Sequence, residues 1–286
     1  MSDNFRYTVM MSVYSKVNCD ELKIAVDSML AQTLPPAEFV IVKDGPLTAE
    51  LDDIIDSYCQ SHPQLFKICP LSENCGLGIA YEKGTSLCTC DYIAIMDSDD
   101  YSLPERCLTE AKYFMDHPET DIVGSCVMEF IGAADNFVSY RKMPENHDEC
   151  IKFAHSRCPC AHPSTMLKKS ALIKAGGYRS CLFAEDYDLY VRMMITGCRF
   201  YNFPEPLVYM RVSEDFYGRR GGISYLKKIS RCKINFYKMG FYSLYDLIKG
   251  LAVHTAVCLM PNRLRTWIYN NLLRKSKKEI SLNDRR

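Results

Sequence analysis

Short apolar runs alternate with amphipathic segments through the first hundred residues of the chain. Four of these runs are continuous and β-prone, which predicts buried strands at 7–13, 39–42, 66–69 and 92–96. Between them, apolar residues recur at helical spacing, and Asn18 and Thr48 stand where helix caps are expected. Because buried strands that alternate with helices form parallel sheets covered on both faces, the pattern predicts an α/β fold.

Two helix starts are predicted in more detail. Asn18 precedes Glu21 by three residues, which is the spacing of a capping box. Ser102 is expected to cap the helix that follows the fourth strand. Beyond that helix the pattern is less regular, with a strand predicted at 122–130 and helices at 170–177 and 186–196. After Arg211 we expect three further helices.

The zero net charge of the 286 residues hides a division between an acidic body and a basic tail. From Arg219 to the end there are 16 Lys and Arg against 3 Asp and Glu, whereas the first 218 residues carry 19 basic and 32 acidic side chains. A basic tail suggests an anionic partner, such as phosphate, nucleic acid or a membrane surface. Nucleic acid is disfavoured, because the body is acidic and no binding motif is present.

The tail also interleaves aromatic and aliphatic residues with Lys and Arg. The stretch 244–260 is apolar but interrupted by Asp246, Lys249 and His254, so it is too short and too charged to span a bilayer. Two alternatives remain open at this point. The tail lies as amphipathic helices in an anionic membrane surface, or it packs against the body of the protein.

The chain has fifteen cysteines, a high count for its length. Residues 1–6 lead directly into a strand-like run with no signal peptide, so we expect a cytoplasmic protein without a disulfide framework. Cys88-Thr89-Cys90 and Cys158-Pro159-Cys160 are spaced too tightly for zinc knuckles. Most of these thiols are expected to be small buried hydrophobic groups.

The strongest chemical signal is the run Asp97-Ser98-Asp99-Asp100, directly after the fourth strand. Ligands of open α/β sheets bind beyond the carboxyl ends of the strands. Carboxylates crowded into such a position repel one another, and a hard divalent cation such as Mg²⁺ or Mn²⁺ relieves the repulsion. A solvated acidic turn is the alternative interpretation of the run by itself.

Several motifs in consistent order, over roughly residues 5 to 220, resemble family 2 glycosyltransferases of the GT-A fold. The motifs are the segments 28–36, 39–45 and 73–78, the aspartate-x-aspartate run Asp97-Ser98-Asp99, and Gly176-Gly177-Tyr178 ahead of the glutamate-aspartate motif at 185–189. The resemblance implies a GT-A type, Rossmann-like, mostly parallel sheet flanked by helices, with a basic helical C-terminal extension. It also divides the chain into a glycosyltransferase domain at 1–220, with a nucleotide-binding half at 1–100 and an acceptor and catalytic half at 101–220, and an extension at 221–286.

For the sugar donor, the resemblance implies a set of nucleotide-binding residues: Ser12, Tyr14, Asp44, Asn74, Gly78, Asp97, Ser98, Arg219 and Arg220. Asp44 would accept an imide-type N–H of the base, although the family often has two acids there and this chain has Lys43-Asp44. Asp97 would lie near the ribose, and Asp99, with Asp97, would hold Mn²⁺ or Mg²⁺ at the donor diphosphate. The arginine pair suits bidentate phosphate binding.

For the transfer step, the resemblance implies that Asp186 is the catalytic base, with Glu185 as the competing candidate. A carboxylate within reach can accept the proton of an attacking sugar hydroxyl, and one direct displacement inverts the anomeric centre. His162 and Gly177 are expected in the acceptor pocket. Carboxylates at a helix N-terminus are also stabilised by the helix dipole, which is the purely structural interpretation of the acidic pair.

Together these observations predict a metal-dependent inverting glycosyltransferase. It would move a sugar from a nucleoside-diphosphate sugar, with a UDP-sugar favoured, to a saccharide or lipid-linked saccharide in polysaccharide biosynthesis. The expected location is the cytoplasm, with the inner face of the plasma membrane as a candidate surface. A sugar nucleotidyltransferase is the alternative enzyme, and it is disfavoured because no glycine-rich loop follows the first strand. A non-catalytic protein that binds nucleotide sugars on the same fold is the other alternative.

Overall fold

The computed structural model describes residues 5–180, 184–213, 221–261 and 275–276. The strands are β1 (Tyr7–Val13), β2 (Glu38–Lys43), β3 (Phe66–Pro70), β4 (Tyr92–Ile95), β5 (Tyr101–Ser102), β6 (Ile122–Phe130), β7 (Phe137–Arg141), β8 (Met166–Lys168), β9 (Phe200–Arg211) and β10 (Lys275–Ser276). The helices are α1 (Cys19–Leu30), α2 (Ala49–Ser61), α3 (Leu77–Leu87), α4 (Arg106–Asp116), α5 (His147–Ala154), α6 (Lys169–Lys174), α7 (Glu185–Ile195), α8 (Gly222–Lys238) and α9 (Leu244–Leu259).

One continuous sheet organises the molecule, with the strand order β10-β7-β6-β8-β4-β1-β2-β3. The strands from the first hundred residues, β3, β2, β1 and β4, are mutually parallel. β8 then pairs antiparallel with both β4 and β6, while β9 runs parallel to β6 and antiparallel to β5. The predicted α/β fold is confirmed, and β8 is the strand that joins the parallel half to the second half of the chain.

Both faces of the parallel half are covered, as the continuous apolar strands predict. Successive residues of β1 point to opposite sides of the sheet, so Met10 packs with α3 and α7 whereas Val9 and Met11 pack with α1, α2 and α4. All three of these side chains are fully buried. The carboxyl ends of β1, β2 and β4 therefore meet at one edge of a rigid, packed sheet.

The caps predicted for α1 and α2 are present, with one difference. The Asn18 side chain accepts the N–H groups of Asp20 and Glu21, and Thr48 caps α2. The carboxylate of Glu21 forms an ion pair with Arg211, with Oε1 and Nε 3.3 Å apart. The Glu21 carboxylate thus pairs with a distant arginine, whereas in a capping box it would accept the backbone N–H of Asn18.

The prediction that Ser102 caps the next helix is wrong. Ser102 lies in β5, where its hydroxyl accepts a hydrogen bond from Gln32 Nε2 at 3.1 Å. Helix α4 starts later, at Arg106, and has no side-chain cap. The buried Gln32 amide needs a partner, and this tertiary contact outweighs the local capping preference.

Two of the three helices expected after Arg211 lie in the described residues, as α8 and α9. Phe236 and Tyr242 are buried and belong to the same core as α7, so the inner side of this helix pair packs against the body of the protein. The segment 262–274, which would hold the third helix, lies outside the described residues. Within the described ranges, no helix combines the length and apolarity needed to cross a bilayer.

Candidate active site

An acidic cavity of about 510 Å³ opens where β4, β6 and β9 end. Asp97 and Asp99 follow β4, and both line this cavity at the carboxyl end of the sheet. The remaining lining residues come from α1, from the end of β4, and from the ends of β6 and β9: Glu21, Asp100, Ile131, Gly132, Met210, Arg211, Val212 and Ser213.

Arg211 holds the acidic run in place from the end of β9. Its Nε donates to the backbone carbonyl of Asp99 at 2.8 Å, and its backbone N–H donates to Asp100 Oδ1 at 2.7 Å. Its guanidinium also lies over the ring of Phe130 and donates to the Gly132 carbonyl. Arg211 therefore ties the two halves of the sheet together at the cavity.

The cavity concentrates negative charge. Burial raises the pKa of Asp99 to about 6, and the Asp97 and Glu21 carboxylates add to the shift. Burial, with Asp97 and Asp99, raises the pKa of Asp100 well above its usual range. Asp100 Oδ2 is buried and accepts no hydrogen bond from the described residues. A cation in the cavity would relieve this crowding.

The carboxylates of the cavity supply some, but not all, of the ligands that a divalent metal ion needs. Among the described residues, no three His, Cys, Asp or Glu side chains converge closely enough to hold an ion by themselves. The oxygens of Asp97 and Asp99 are nevertheless the hard ligands that Mg²⁺ and Mn²⁺ prefer, and such ions commonly use one or two carboxylates together with substrate phosphates. The residues present therefore fit a metal that is shared with a diphosphate.

Asp44 organises a second loop beside the sheet edge. Its carboxylate accepts the backbone N–H groups of Cys75, at 2.7 Å, and Gly76, at 3.1 Å. Asn74 Nδ2 donates to the Asp44 carbonyl at 3.2 Å. Asp44 is buried, and its neighbour Lys43 turns away to pair with Asp52. The loop at 73–78 is therefore held by the residue that was predicted to recognise the base.

Gly78 connects this loop to the glutamate-aspartate motif. A Cβ at Gly78 would lie 2.0 Å from the carbonyl oxygen of Arg179 and 3.0 Å from Glu185 Cγ. The glycine is thus required by the close packing of α3 against the segment before α7. Burial raises the pKa of Glu185, and the charge of Asp186 adds to that effect while His162 and Lys228 oppose it.

His162 lies between the two acidic motifs, in a short 3-10 turn at His162–Ser164. Its Nδ1 is 3.9 Å from Asp97 Oδ1, and its Nε2 is 3.0 Å from the hydroxyl of Tyr178. Tyr81 packs edge-on against the imidazole and donates to Asp97 Oδ1 at 3.4 Å. His162 is only 7% exposed, so its imidazole is held in place by packing with Tyr81 and Tyr178.

Asp186 is the second residue of α7, and each of its two carboxylate oxygens has a partner. Oδ1 accepts the backbone N–H of Tyr187 at 2.8 Å, and Oδ2 lies 3.4 Å from Cys158 Sγ. Burial, followed by the charge of Asp186, raises the pKa of the Cys158 thiol well above its usual range, so the sulfur keeps its proton. The same thiol also lies 3.4 Å from the carbonyl of Cys160.

The predicted site residues fall into neighbouring groups around this edge of the sheet. Asp97 and Asp99 share the cavity, Asp44 and Asn74 share the loop, and Gly78 meets Glu185. The other predicted residues within the described ranges lie at strand ends and turns: Ser12, Tyr14, Ser98 and Gly177. Arg219 and Arg220 lie outside the described residues.

Sequence reasoning missed four side chains that contact these groups: Glu21, Tyr81, Cys158 and Tyr178. Their places in the sequence look like ordinary helix, core and turn positions. The sequence Cys158-Pro159-Cys160 shows only that the two cysteines are too close for a zinc motif. Its separation from Asp186 along the chain gives no sign of their contact. Only the three-dimensional structure brings these residues to the site.

Comparison with known proteins agrees with the geometry. The family model described as Glycosyl transferase family 2 matches residues 8–179. The amylovoran biosynthesis glycosyltransferase AmsE of Erwinia amylovora is 32% identical, over 92% of this chain and 97% of its own length. A UDP-Gal:alpha-D-GlcNAc-diphosphoundecaprenol beta-1,3-galactosyltransferase of Escherichia coli is 30% identical, over 96% of this chain and 99% of its own.

Among solved structures, a mannosyltransferase from Pyrobaculum calidifontis in complex with GDP-Man and Mn²⁺ is similar with a TM-score of 0.64. At 16% identity the similarity covers 98% of this chain and 79% of that one, and it shows the shared fold. The predicted GT-A fold is confirmed by this neighbour together with the sheet order. By family match, by full-length relatives and by fold, the chain belongs to the family 2 glycosyltransferases and is a transferase enzyme.

Proposed function

We propose that this glycosyltransferase is metal-dependent and inverting, and that it transfers a hexose from a UDP-sugar to a saccharide or lipid-linked saccharide in polysaccharide biosynthesis. The observation that carries the proposal is the acidic cavity, where Asp97 and Asp99 project from the end of β4 into a space of about 510 Å³. The two relatives support the finer parts, because one acts in amylovoran biosynthesis and the other uses UDP-Gal and a diphosphoundecaprenol-linked acceptor.

Asp99, with Asp97, would hold the Mn²⁺ or Mg²⁺ ion. The ion would neutralise charge on the departing nucleoside diphosphate. Arg211 holds the backbone of Asp99 through its carbonyl, and it draws the Glu21 carboxylate into an ion pair. The raised pKa of Asp99 reflects carboxylates that are crowded before any ligand enters.

Asp186 is the proposed base. The acceptor hydroxyl gives its proton to the Asp186 carboxylate while its oxygen bonds to the anomeric carbon, and the bond from that carbon to the diphosphate oxygen breaks. Attack from the face opposite the leaving group inverts the configuration. The dipole at the start of α7 and the Tyr187 N–H favour the charged carboxylate that the step requires.

The remaining residues keep their proposed roles around the donor and acceptor. Asp44 is proposed to accept an imide-type N–H of the base, Asn74 to shape the loop beside it, and Ser12, Tyr14, Ser98 and Gly78 to line the approach to the nucleotide. Arg219 and Arg220 are proposed to contact the phosphates, and His162 and Gly177 to shape the acceptor side. The proposed location is the cytoplasm at the inner face of the plasma membrane, because a lipid-linked acceptor would be presented there.

The first test is calorimetric titration of the full chain with UDP and with GDP, each with and without Mn²⁺. Binding of UDP that requires Mn²⁺ supports the proposal. Binding of GDP alone would contradict the donor class, and metal-independent binding would contradict the metal role. Family membership decides against the sugar nucleotidyltransferase, and slow hydrolysis of a UDP-sugar separates an enzyme from a binding protein.

The second test separates the two acids of α7. Asp186→Asn is expected to bind UDP and Mn²⁺ normally but to lose transfer by about 10²–10⁴-fold, the usual contribution of a general base. Glu185→Gln is the matched control and should retain much more activity. Radiolabelled sugar transfer at saturating donor measures the difference. Retained turnover by Asp186→Asn, with loss in Glu185→Gln, would move the base to Glu185.

A further inference from the structure

The outward face of α9 is almost entirely apolar. Nine residues of this helix are exposed, and only Lys249 and Thr255 among them are polar. The apolar members are Leu244, Tyr245, Ile248, Ala252, Val253, Ala256 and Leu259. At the 100° spacing of a helix all nine fall within about half of the circumference. We call the surface made by these nine residues the α9 face.

Large side chains on the α9 face are unusually exposed for their type: Tyr245 is 69%, Leu259 62% and Ile248 60% exposed. A surface helix normally turns its polar residues outward, and a contiguous exposed apolar patch marks a contact with another surface. The inner side of α9 is already used. Cys258 is buried there, and Gly250 lets the helix approach the Lys233 side chain of α8.

The charge around the α9 face is positive. Exposed lysines and an arginine lie on the neighbouring α8 and on the face itself: Lys227, Lys228, Arg231, Lys238 and Lys249. Asp246 is the one acidic residue between 221 and 261, and it is engaged by Ser243 and by His155, whose Nδ1 is 3.1 Å away. On α8, Ile223 and Ile234 are exposed among the basic residues.

We infer that the α9 face is a docking surface for an anionic lipid bilayer, with α9 lying in the plane of the interface. Apolar side chains would enter the acyl boundary, while Lys249 and the α8 cations would meet the headgroups. Charge complementarity favours a bilayer of anionic lipids over a protein partner, because the α9 face offers few hydrogen-bonding groups and the exposed charged side chains of α8 and α9 are all positive. The inference rests on the proposed lipid-linked acceptor, which such a bilayer would hold.

The inner contacts of the helix pair give docking a consequence for catalysis. Tyr242 precedes α9, and its hydroxyl lies 2.8 Å from that of Tyr187, the residue after Asp186. Asn235 Nδ2 of α8 lies 3.4 Å from Asp188 Oδ1. Helix α7 is therefore held by the elements that would lie on the membrane. Docking would set the orientation of the acceptor side of the site relative to the bilayer.

The experiment is co-sedimentation of the full chain with vesicles made of equal amounts of phosphatidylcholine and phosphatidylglycerol. Ile248→Asp tests the α9 face, and Ile173→Asp is the matched control, since both isoleucines are helical and 60% exposed. Ile248→Asp should weaken vesicle binding roughly tenfold or more, as expected for losing one buried apolar side chain and adding a negative charge. Ile173→Asp should leave it unchanged, and added salt or pure phosphatidylcholine should weaken binding of the parent chain.

Each other result overturns the inference. Equal vesicle binding by the parent chain and Ile248→Asp would remove the α9 face from the contact. A concentration-dependent dimer that Ile248→Asp abolishes would make the face an interface between two copies. Absence of vesicle binding by a monomeric parent chain would show that the α9 face is not a membrane contact. Transfer to a water-soluble acceptor should be equal in the parent chain and Ile248→Asp, so failure of docking is distinct from failure of the proposed enzymatic function.

Discussion

Asp99 shows how a functional residue is set by its immediate surroundings. Its carboxylate is buried beside Asp97 and faces Glu21, so its pKa lies near 6 and the ionised form is disfavoured in the absence of a cation. Arg211 compensates only in part, because its guanidinium is shared among the Asp99 carbonyl, Glu21 and Gly132. Because negative charge exceeds positive charge in this site, binding of a cation would be favourable.

Asp99→Asn is therefore expected to lose most of the Mn²⁺-dependent part of UDP binding, by about tenfold or more, because one hard anionic ligand is replaced by a neutral amide. Calorimetry with and without Mn²⁺ measures the loss. Asp116→Asn, an exposed acid at the end of α4, is the control and should bind as the parent chain does. Metal-dependent binding that survives Asp99→Asn would assign the ion to other ligands.

Cys158 is the residue most easily overlooked near the transfer chemistry. Its protonated thiol lies 3.4 Å from Asp186 Oδ2 and is a weak donor to the proposed base. Cys158→Ala should lower kcat by roughly fivefold, about 1 kcal/mol, with the donor KM unchanged. The loss is expected because the Asp186 carboxylate loses a contact that orients it.

Cys158→Ser keeps a hydroxyl donor and should restore the parent kcat. Cys198→Ala, a buried cysteine on another part of the molecule, controls for simple loss of packing. If Cys158→Ala changes thermal stability but leaves kcat alone, the thiol donates to the Cys160 carbonyl instead and has no part in holding Asp186.

At the scale of elements, Glu38 shows how strands and loops are tied together away from the site. Its carboxylate accepts from Thr8 of β1, from Lys67 of β3, and from the N–H and hydroxyl of Thr89 in the loop before β4. Burial alone would raise the pKa of Glu38, but these hydrogen bonds outweigh it and hold the pKa at about 2. The Glu38 carboxylate thus links the amino ends of the three parallel strands β1, β2 and β3.

Glu38→Gln should lower the free energy of unfolding by about 2 kcal/mol near neutral pH, after allowance for the partly exposed Lys67. The folded pKa is depressed, so this stabilisation is present above the ordinary value of 4.5 and is lost as the pH falls towards 2. Urea unfolding at several pH values measures the convergence of variant and parent. Glu82→Gln, an exposed glutamate on α3, should show no such pattern.

At the scale of the whole molecule, the C-terminal helices are part of the body on their inner side. Phe236 is fully buried and packs edge-on against Tyr187, with ring centroids 4.7 Å apart. Lys233 is buried too, near the hydroxyl of Tyr242, and burial lowers the pKa of its amine. Packing against the body, one of the two alternatives for the tail, therefore describes its inner side, and membrane contact is proposed for its outer side only.

Phe236→Ala is expected to destabilise the whole protein by about 3 kcal/mol or more, in a single cooperative transition, because it leaves a cavity beside α7. Tyr245→Ala, on the α9 face, should change the free energy of unfolding by less than about 0.5 kcal/mol. Chemical unfolding followed by far-ultraviolet circular dichroism compares the two variants. An early, separate transition in Phe236→Ala would instead show that the helix pair folds independently of the sheet.

The sequence by itself determined the alternation of strands and helices, the acidic run at the end of β4 and the family. These features are local, because a continuous apolar run, a helix cap and a carboxylate motif are each written in a few adjacent residues. Helix capping failed as a guide where a distant partner competed. Glu21 forms an ion pair with Arg211, and Ser102 accepts a hydrogen bond from Gln32.

Only the tertiary structure decided which distant residues meet. Cys158 and Asp186 are 28 positions apart, and Glu21 of α1 is far along the chain from Arg211 at the end of β9. No periodic pattern in the sequence connects the members of either pair. The sheet brings them together because β8 and β9 return the second half of the chain to the edge formed by β1, β2 and β4. The sequence showed that the stretch 244–260 is apolar, but it did not show which side of α9 stays uncovered, since apolar helix residues are normally buried and only packing decides the exposed side.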